Sequence, residues 1–357
     1  MKTAVILGTR PEIIKMAPVI RELEKRRADY FVLHTGQHYS YSLDRVFFEQ
    51  LELPPPRYNL EAGSGAHGEE TAKMLAGIEP KLTEEKPAVV LVEGDTNSVL
   101  AGALAAAKLH IKVGHVEAGL RSYDRTMPEE INRVITDHIS DYLYAPTARA
   151  GEILLGEGIP AEKIFVTGNT IADAVRQNLA IAEKRQDALT KLGLKPGEYI
   201  LVTMHRQENV DNKARLAAIL HGLKLVREKF GLTLVYPAHP RSVKRLREFG
   251  LDTPGLNLIE PLDFLSFLQV ESRARLILTD SGGVQEEACI LGVPCVTLRD
   301  NTERPETLEA GANVLAGASP EEIARQAEIM AGRNQDWANP FGDGYAAGKI
   351  LNTLTEV

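Results

Sequence analysis

The sequence predicts an α/β protein made of two Rossmann-like halves, each with a parallel sheet covered by helices on both faces. Three observations lead to this class. Short apolar strand signals alternate with helix signals almost without interruption, the series restarts once in mid-chain, and glycine and charged residues follow the strand ends. With 357 residues the chain is long enough for two domains, because single cores rarely grow beyond ~250–300 residues.

The first half contains six short apolar runs that predict strands. They are Thr3–Leu7, Tyr30–His34, Ala88–Val92, Ile111–Val116, Leu143–Ala145 and Ile164–Thr167. The clearest helices between them are Pro11–Arg27, Asn97–Leu109 and Pro128–Ser140. Two of these helices begin with proline, which fits the first helical position because it lacks an N–H and has a preset φ.

The second half repeats the alternation. Its predicted strands are Tyr199–Thr203, Leu232–Tyr236, Leu256–Ile259, Arg275–Thr279, Cys295–Leu298 and Asn313–Leu315. A polar helix, Ile171–Thr190, and the turn Leu194–Gly197 lie between the two series. We therefore place the boundary at Asn169–Thr170, which gives domains 1–169 and 170–344. Open parallel sheets bind ligands at the carboxyl ends of their strands, so we expect one cleft between the two facing halves.

The composition of the chain limits the classes of partner that the protein is expected to bind. The net charge is −8, with 44% hydrophobic and 25% charged residues. This acidic balance argues against nonspecific binding to nucleic acid or to an anionic membrane, and it favours a small ligand. No apolar stretch reaches the ~20 residues of a membrane span, and the N-terminus reads as a strand, so we expect a cytoplasmic protein. The two cysteines, Cys289 and Cys295, are expected to pack in the core.

The segment Leu276–Leu298 reads as strand, glycine turn, helix and second strand. Its turn directs the N–H groups of Ser281, Gly282 and Gly283, together with the positive end of the following helix, at one point. An anion such as phosphate suits that point. One helical turn later Glu286 and Glu287 offer carboxylates to ribose hydroxyls. Because Ser-Gly-Gly is also an ordinary helix entry, other segments must support this interpretation.

Acidic residues follow strand ends in the first half. Asp95 and Glu117 come after two strands, and Glu129 opens a helix. Neighbouring carboxylates repel each other, which raises at least one pKa towards the range of general acid–base chemistry. Taken singly, Asp95 reads as a cap for the helix at Asn97, and Glu129 as a complement to a helix dipole.

Cations and histidines supply candidate anion contacts. Arg10 follows the first strand, and no dinucleotide fingerprint accompanies it, because the glycine after Gly8 is Gly36. Position alone favours a surface role for Lys15. In the second half His205 and His239 follow strands, Arg304 lies near the glycine turn, and Phe264 and Phe267 are candidates to flank a base. The spacing of His110, His115 and His138 matches no metal site, so we predict no metal.

Several motifs follow one another in a fixed order along the chain. Together they indicate a family resemblance that none of them would indicate alone. They are GTRPEIIKMAPVI, VEGDTNSVL, GHVEAGLRS, MPEEINR, VTGNTIAD, HRQEN, TDSGGVQEEA and NTERPE. From Lys2 to about Gly344 the chain resembles the non-hydrolysing UDP-N-acetylglucosamine 2-epimerases. The resemblance implies GT-B architecture, with a C-terminal helix at 345–357 packing back on the first domain. It also implies interconversion of UDP-N-acetylglucosamine and UDP-N-acetylmannosamine without NAD or metal, usually by a homodimer.

The family's chemistry gives the acids a purpose. The C2 proton is too weakly acidic to leave unaided, so UDP leaves C1 as the proton departs, and a 2-acetamidoglucal forms. Return of UDP with protonation from the opposite face gives the epimer, which requires two proton carriers. The resemblance places these acids at Asp95, Glu117 and Glu129. It assigns diphosphate contacts to Arg10, His205, Ser281, Gly282, Gly283 and Arg304, cleft positions to Lys15 and Arg133, the ribose acid to Glu287, and the uracil pocket to Leu262 and Phe267.

Departures from the family pattern leave the sugar and its regulation open. In many bacterial members the counterparts of Gln37, Arg206 and His239 help to bind a second substrate molecule as an activator, and Ser40 departs from that pattern. The segment Tyr39-Ser40-Tyr41 is similar to members that act on UDP-2,3-diacetamido sugars. A UDP-sugar glycosyltransferase of the same architecture and a non-enzymatic UDP-sugar sensor remain alternatives. Three clustered carboxylates argue against the glycosyltransferase, and turnover of a UDP-sugar would exclude the sensor.

Overall fold

The computed structural model describes residues 1–36, 41–253 and 255–355, and the side chains described exclude those of 41–44 and 355. The chain forms two compact units. The first unit consists of Met1–Gln177 and Phe341–Val357, and the second consists of Asn178–Pro340. Among the described residues, no helix is long and apolar enough to cross a membrane.

The first unit holds a seven-stranded parallel sheet in the order β3-β2-β1-β4-β5-β6-β7. Its strands are β1 (Thr3–Leu7), β2 (Tyr30–His34), β3 (Tyr58–Asn59), β4 (Val89–Glu93), β5 (Lys112–Val116), β6 (Tyr142–Ala145) and β7 (Ile164–Val166). The order reverses beside β1, where β4 pairs with β1 on the side away from β2. In open parallel sheets this reversal is where ligands bind, just beyond the strands' carboxyl ends.

Helices cover this sheet. They are α1 (Arg10–Lys25), α2 (Tyr41–Gln50), α3 (His67–Glu85), α4 (Asn97–Lys108), α5 (Pro128–Ile139), α6 (Ala148–Gly156) and α7 (Thr170–Ala182), with a 3₁₀ turn at Ala161–Lys163. Proline occupies the start of α1 and of α5, as the sequence predicts. Thr96 caps α4 by accepting a hydrogen bond from Val99 N, so the prediction that Asp95 caps this helix is wrong, and Asp95 is available for another contact.

The second unit holds a six-stranded parallel sheet in the order β10-β9-β8-β11-β12-β13. Its strands are β8 (Tyr199–Thr203), β9 (Thr233–Pro237), β10 (Leu256–Ile259), β11 (Leu276–Thr279), β12 (Cys295–Thr297) and β13 (Asn313–Leu315). Its helices are α8 (Ala188–Leu192), α9 (Gln207–Val210), α10 (Lys213–Phe230), α11 (Pro240–Phe249), α12 (Phe264–Ser272), α13 (Gly282–Leu291), α14 (Pro305–Glu309) and α15 (Pro320–Ala331).

Both faces of the second sheet are buried. In β8, Ile200 and Val202 join one hydrophobic cluster, whereas Tyr199 and Leu201 join another. Successive side chains of a strand point to opposite faces, so the two clusters lie on the two sides of the sheet. This explains why the strand reads as a continuous apolar run without alternation.

Three details differ from the sequence-based elements. The predicted helix 171–190 is two helices, α7 and α8, because the Asp187 side chain accepts a hydrogen bond from Thr190 N and starts a new helix. The division between the units lies within α7, later than the predicted boundary at Asn169–Thr170. The two-residue strand β3 was not predicted, since it is too short to show a periodic pattern.

The last helix, α16 (Ala346–Thr355), belongs to the first unit. Asp173 of α7 accepts hydrogen bonds from Ala346 N and Ala347 N, both at 3.0 Å, which satisfies free N–H groups at the start of α16. Tyr144 of β6 contacts Thr353 through its hydroxyl at 2.9 Å. The chain therefore closes its first unit with its last helix.

Candidate active site

A lysine and two glutamates form the buried centre of the first unit's candidate site. Lys15 of α1 contacts the carboxylate of Glu117 directly, and its Nζ lies 3.3 Å from Glu93 Oε1 at the end of β4. Asn169 Nδ2 donates to Glu117 Oε1 at 3.0 Å. Lys15, whose side chain is 14% exposed, is therefore a buried ion-pair partner, and the prediction of a surface lysine from position alone is wrong.

Burial shifts the protonation of two carboxyl groups at this strand edge. Burial is the main cause of the raised pKa of Glu93, and the charge of Glu117 adds to it, while Lys15 acts in the opposite direction. Burial also raises the pKa of Glu12 to about 7, although Thr96 and Gly8 N donate hydrogen bonds to it. Glu12 Oε2 accepts from Gly8 N at 2.6 Å. Burial thus raises the pKa of both Glu93 and Glu12, which favours their protonated forms more than in a solvated glutamate.

Asp95 lies in the loop after β4 and pairs with Arg133 of α5. Arg133 NH1 also lies 2.9 Å from Glu130 Oε2, and Asn132 Nδ2 donates to the Asp95 carbonyl at 3.0 Å. The structure therefore brings Asp95 into contact with Arg133, a second residue that the family resemblance assigns to the site. Glu129 is exposed at the start of α5.

Glu117 has an unusual backbone for a glutamate. Its φ is +70°, in the left-handed region that residues with a Cβ rarely adopt. Such strained residues cluster at functional sites, because surrounding contacts must hold them there. The preceding loop is close: a Cβ added to Gly94 would lie 4.0 Å from Glu117 Oε2. The loops after β4 and β5 therefore meet at the Glu117 carboxylate.

Arg10 is the first residue of α1, directly after the loop that follows β1. Its guanidinium lies over the Phe47 ring, with 5.3 Å from Cζ to the ring centroid. Stacking on an aromatic ring is a common way to orient an arginine without removing its donors from an anion. Arg10 thus lies at the same edge of the first sheet as the acidic cluster.

In the second unit, Asp280 organises the loop that carries His205. Its carboxylate, fully buried, accepts from the N–H groups of His205 and Arg206 and from Asn209 Nδ2 at 3.0–3.1 Å. His205 Nδ1 lies 3.1 Å from Asp280 Oδ1, and the imidazole is 55% exposed. Burial raises the pKa of Asp280, but the contacts with His205 outweigh it and the net shift is downward. The carboxylate therefore orients His205 towards solvent.

A pocket of about 390 Å³ lies at this edge of the second sheet. Its walls include His205, His239, Arg241, Leu262 and Phe267. Its size falls within the range of small-ligand sites, and apolar walls with a few polar groups are typical of them. The pocket brings together His205, Leu262 and Phe267, three of the predicted substrate-binding residues, whereas Phe264 is not among its walls.

The glycine turn has the predicted form. Ser281 caps α13, and Gly282 and Gly283 begin the helix. A Cβ on either glycine would meet other protein atoms only at 3.9 Å, so no protein atom crowds these positions. The Ser281 N–H already donates to Thr279 Oγ1 at 2.9 Å, so the predicted N–H donors that remain for an anion at this helix start are those of Gly282 and Gly283.

The two acids after the turn have different partners. Arg304 Nε lies 2.8 Å from Glu286 Oε1, so Arg304 is partly neutralised by the neighbour of the predicted ribose acid. Burial, followed by the charge of Glu286, raises the pKa of Glu287 to about 7. Glu271 of α12 is fully buried next to Glu287, and burial and that neighbour raise its pKa well above the usual range. Glu271 is thus the protonated member of the pair, and its hydrogen bond to Glu287 opposes the rise in the pKa of Glu287.

The structure describes only two of the three residues assigned to an activator site. Gln37 lies outside the described residues, as do Tyr39 and Ser40. His239 lines the pocket, and Arg206 NH2 lies 3.7 Å from Glu303 Oε2. Their joint role stays a prediction.

Four buried acids were missed in the sequence analysis as site residues. They are Glu12, Glu93, Glu271 and Asp280. Glu93 and Asp280 directly follow predicted strands, so their position was a usable signal. Glu12 and Glu271 lie on helices, where nothing in the local pattern distinguishes a buried acid from a solvated one.

The remaining predictions concern the two cysteines and the metal. Cys289 and Cys295 are buried free thiols, as expected, and burial raises the pKa of Cys289 to about 12. Within the ranges that the structure describes, no group of three or more His, Cys, Asp or Glu side chains is arranged to hold a metal ion.

Comparisons with known proteins place the chain in a family. The family model described as UDP-N-acetylglucosamine 2-epimerase matches residues 21–355. A protein of that name from Methanocaldococcus jannaschii is 56% identical over 99% of both chains, and one from Methanococcus maripaludis is 54% identical over 99% of this chain and 98% of its own.

Comparison with solved structures indicates the same family. The M. jannaschii UDP-GlcNAc 2-epimerase superposes with a TM-score of 0.92 at 55% identity, covering 100% of both chains. Its complex with UDP-GlcNAc and UDP gives a TM-score of 0.87 at 56% identity, again over 100% of both chains. At 14% identity, the Anabaena protein HepE shares the fold alone, with a TM-score of 0.62. Given a family model that spans most of its length and relatives above half identity, the chain belongs to the UDP-N-acetylglucosamine 2-epimerase family.

Proposed function

We propose that the protein catalyses the reversible epimerisation of UDP-N-acetylglucosamine at C2 to UDP-N-acetylmannosamine. The observation that carries this proposal is full-length identity of 54–56% with two proteins named UDP-N-acetylglucosamine 2-epimerase, together with a solved relative in complex with UDP-GlcNAc and UDP. The acidic cluster of the first unit supplies the proton chemistry that such a reaction needs.

The reaction is a balanced elimination and re-addition. A carboxylate removes the C2 proton while the C1–O bond to UDP breaks, and the electron pair of the C–H bond forms the C1–C2 double bond of a 2-acetamidoglucal. In the return step a diphosphate oxygen of UDP forms the new bond to C1, and a proton enters C2 from the opposite face. Two faces require two carriers. Asp95, Glu117 and Glu129 are the proposed carriers.

Lys15 and Arg133 hold two of the acids in place. Lys15 contacts Glu117, and Arg133 contacts Asp95. These ion pairs fix the orientation of the two carboxylates that the proposal assigns to proton transfer.

The second unit holds UDP in this proposal. The Gly282 and Gly283 amides, with Ser281 at the same helix start, and His205 bind the diphosphate, and Arg304 adds positive charge. The family resemblance assigns Arg10 to the same diphosphate. Glu287 accepts hydrogen bonds from the ribose, and the pocket walls at Leu262 and Phe267 receive the uracil. Groups that stabilise the departing diphosphate lower the barrier, because negative charge develops there in the transition state.

We further propose that the protein acts as a cytoplasmic homodimer. The resemblance to the family supports the dimer. Light scattering of the purified chain at micromolar concentration should give twice the monomer mass, and a monomer mass would contradict the dimer.

The activity is tested by incubating the protein with UDP-N-acetylglucosamine in deuterated water and following ¹H NMR. Deuterium should enter C2 and the manno epimer should appear without added NAD or metal. Substrate that stays unlabelled after long incubation would contradict the proposal, and binding without turnover would instead support a UDP-sugar sensor.

The alternative sugar is a UDP-2,3-diacetamido sugar, which the segment Tyr39-Ser40-Tyr41 favours. Parallel incubations with the two sugars decide between them. If kcat/KM is higher for the diacetamido sugar, the exact substrate is reassigned while the reaction type stands. Transfer of the sugar to an added acceptor, with no exchange at C2, would support a glycosyltransferase.

A further inference from the structure

A chain of three buried charged side chains, His115, Asp137 and Arg121, lies behind the candidate proton carriers and ends at the exposed Glu157. The Nδ1 atom of His115, on β5, lies 2.6 Å from the Oδ1 atom of Asp137, on α5. Asp137 Oδ2 lies 2.7 Å from Arg121 NH1, and Arg121 pairs with Glu157 through two contacts at 2.8 and 2.6 Å. The side chains of His115, Asp137 and Arg121 are each at most 1% exposed. The chain alternates positive and negative groups.

The contacts determine where the protons are. His115 Nε2 lies 2.8 Å from the carbonyl oxygen of Gly94, which can only accept, so Nε2 carries a hydrogen. Asp137 Oδ2 already accepts from Gly119 N at 3.2 Å and from the Arg121 guanidinium, which holds Asp137 as a carboxylate. A carboxylate also only accepts, so His115 Nδ1 carries a hydrogen too. Both ring nitrogens donate, and the ring is an imidazolium.

The surrounding charges agree with this assignment. The charged groups acting on the ring are Asp137 of α5 and Asp95 of the loop after β4, and both are acids. Arg121, from the loop after β5, acts on His115 only across Asp137. Burial lowers the pKa of His115, but Asp137 and the Gly94 carbonyl outweigh it, and the net shift is upward. The pKa of Asp137, which burial raises, is lowered overall by His115 and Arg121.

The chain ties together the two loops that carry Asp95 and Glu117. Gly94 precedes Asp95, and its carbonyl is held by His115 while its N–H donates to Val116 O at 3.1 Å. Gly119 follows Glu117 by two residues, and its N–H is held by Asp137. The strained backbone of Glu117, at φ +70°, lies between these two attachments.

We propose that His115 is a positioning residue that stays an imidazolium through neutral and mildly alkaline pH and, with Asp137, holds Asp95 and Glu117 in register for proton transfer at C2. The charge state follows from the contacts alone, whereas the effect on catalysis rests on the proposed function. A neutral ring could satisfy only one of its two acceptors, because one nitrogen would then present a lone pair to an oxygen.

The charge state is tested on the full chain by ¹⁵N NMR of histidine ring nitrogens between pH 6 and 8.5. His115 is assigned as the resonance pair that disappears in His115→Gln. Both nitrogens should keep protonated chemical shifts over this range, although an ordinary histidine titrates at about 6.5. Asp137→Asn should release the proton and restore titration in the range, which also assigns the resonance if His115→Gln does not fold. A neutral His115 at pH 7.5 overturns the proposal.

The positioning role is tested by kinetics. His115→Gln keeps a donor for Gly94 O and loses the positive charge, so kcat for C2 deuterium exchange should fall about 10- to 100-fold, as expected when reacting groups are misplaced. The UDP dissociation constant should stay within about twofold, because the proposed UDP contacts, apart from that of Arg10, lie in the second unit. His138→Gln on the exposed end of α5 is the matched control and should leave both values unchanged.

An unchanged kcat in both His115→Gln and Asp137→Asn would overturn the positioning role. An equal loss of kcat and of UDP affinity would overturn it too, because that pattern indicates general structural damage. If the wild-type protein shows no exchange at C2, the proposed function fails, while the ¹⁵N measurement still decides the charge state of His115.

Discussion

At the scale of single residues, the site depends on which carboxyl groups hold protons. Lys15 is one cation with two buried carboxyl groups beside it, Glu93 and Glu117. Two ionised acids around one ammonium would leave an uncompensated negative charge in a buried place, which is costly. One acid therefore holds a proton, and the raised pKa of Glu93, caused first by its burial, assigns the proton to it.

This assignment predicts that Glu93→Gln, a neutral mimic of the protonated acid, keeps the exchange rate at C2 within about threefold at pH 7. Glu117→Gln should lose at least ~100-fold, because it removes a proton carrier. The rate of deuterium incorporation from pH 6 to 9 measures both. The alkaline limb should be flatter in Glu93→Gln, which lacks the titrating group. Equal losses in the two variants would show that Glu93 is itself ionised in the active form.

Glu12 gives a prediction about stability. Its pKa is 4.5 in the unfolded chain and, mainly through burial, about 7 in the folded one. Between these values the folded protein binds a proton that the unfolded chain does not. The contribution of this group to the free energy of unfolding therefore falls as pH rises from about 4.5 to about 7, by on the order of 3 kcal/mol.

Glu12→Gln removes this titration, and its amide can still accept from Gly8 N. The urea midpoint of the variant should therefore fall less than that of the wild type between pH 5 and pH 7.5. Glu79→Gln, at an exposed position of α3, is the control and should follow the wild type. Identical pH dependence in Glu12→Gln and the wild type would mean that Glu12 is ionised when folded.

At the scale of elements, the proposed anion site at the start of α13 depends on glycines, which have no side chains. A Cβ on Gly282 would approach protein atoms no closer than 3.9 Å, to Glu303 Oε2. The folded protein therefore tolerates alanine at this position. A bound diphosphate would not, if it approaches the backbone N–H groups as proposed.

Gly282→Ala should thus leave the unfolding midpoint within about 1 °C and raise the UDP dissociation constant ~10-fold or more, which corresponds to about 1.4 kcal/mol. Isothermal titration with UDP measures the affinity. Gly348→Ala, at a helical glycine with nothing within 4 Å of the added Cβ, is the matched control. Unchanged UDP affinity in Gly282→Ala would remove the diphosphate from the start of α13.

At the scale of the whole molecule, the first unit is discontinuous in sequence. Its sheet comes from the first 170 residues or so, and its last helix, α16, comes from the end of the chain. Ile350, Leu351 and Leu354 of α16 are all buried. A change near the end of the chain is therefore expected to destabilise the beginning of it.

Ile350→Ala should cost the first unit about 3 kcal/mol, a typical loss for a large-to-small change in a core. Lys349→Ala, an exposed neighbour paired with Asp343, should cost under about 1 kcal/mol. Hydrogen exchange read by mass spectrometry should show faster exchange in α1, which α16 contacts, and unchanged exchange in α10 of the second unit. Faster exchange in both units would mean that they unfold together.

Much of the fold was predictable because the relevant signals are local. The strands β8 and β11 follow apolar runs, and proline starts α1 and α5 where the sequence expects it. The split of the predicted helix 171–190 was missed, because the capping role of Asp187 competes with a continuous helical pattern. In the site, the positions of Lys15 and Asp95 were predicted from the family resemblance, whereas their contacts were not.

Sequence alone determined the alternation of strand and helix, the residues that stand at strand ends, and the ordered motifs of the family. These are properties of neighbouring residues or of their order, so they need no coordinates. Only the tertiary structure decided which acids are buried and which are paired. Glu93 meets Lys15 and Glu117, and His115 meets Asp137, across distances in sequence that no local pattern spans. Protonation depends on burial and on the charge of such partners, and folding alone brings them together.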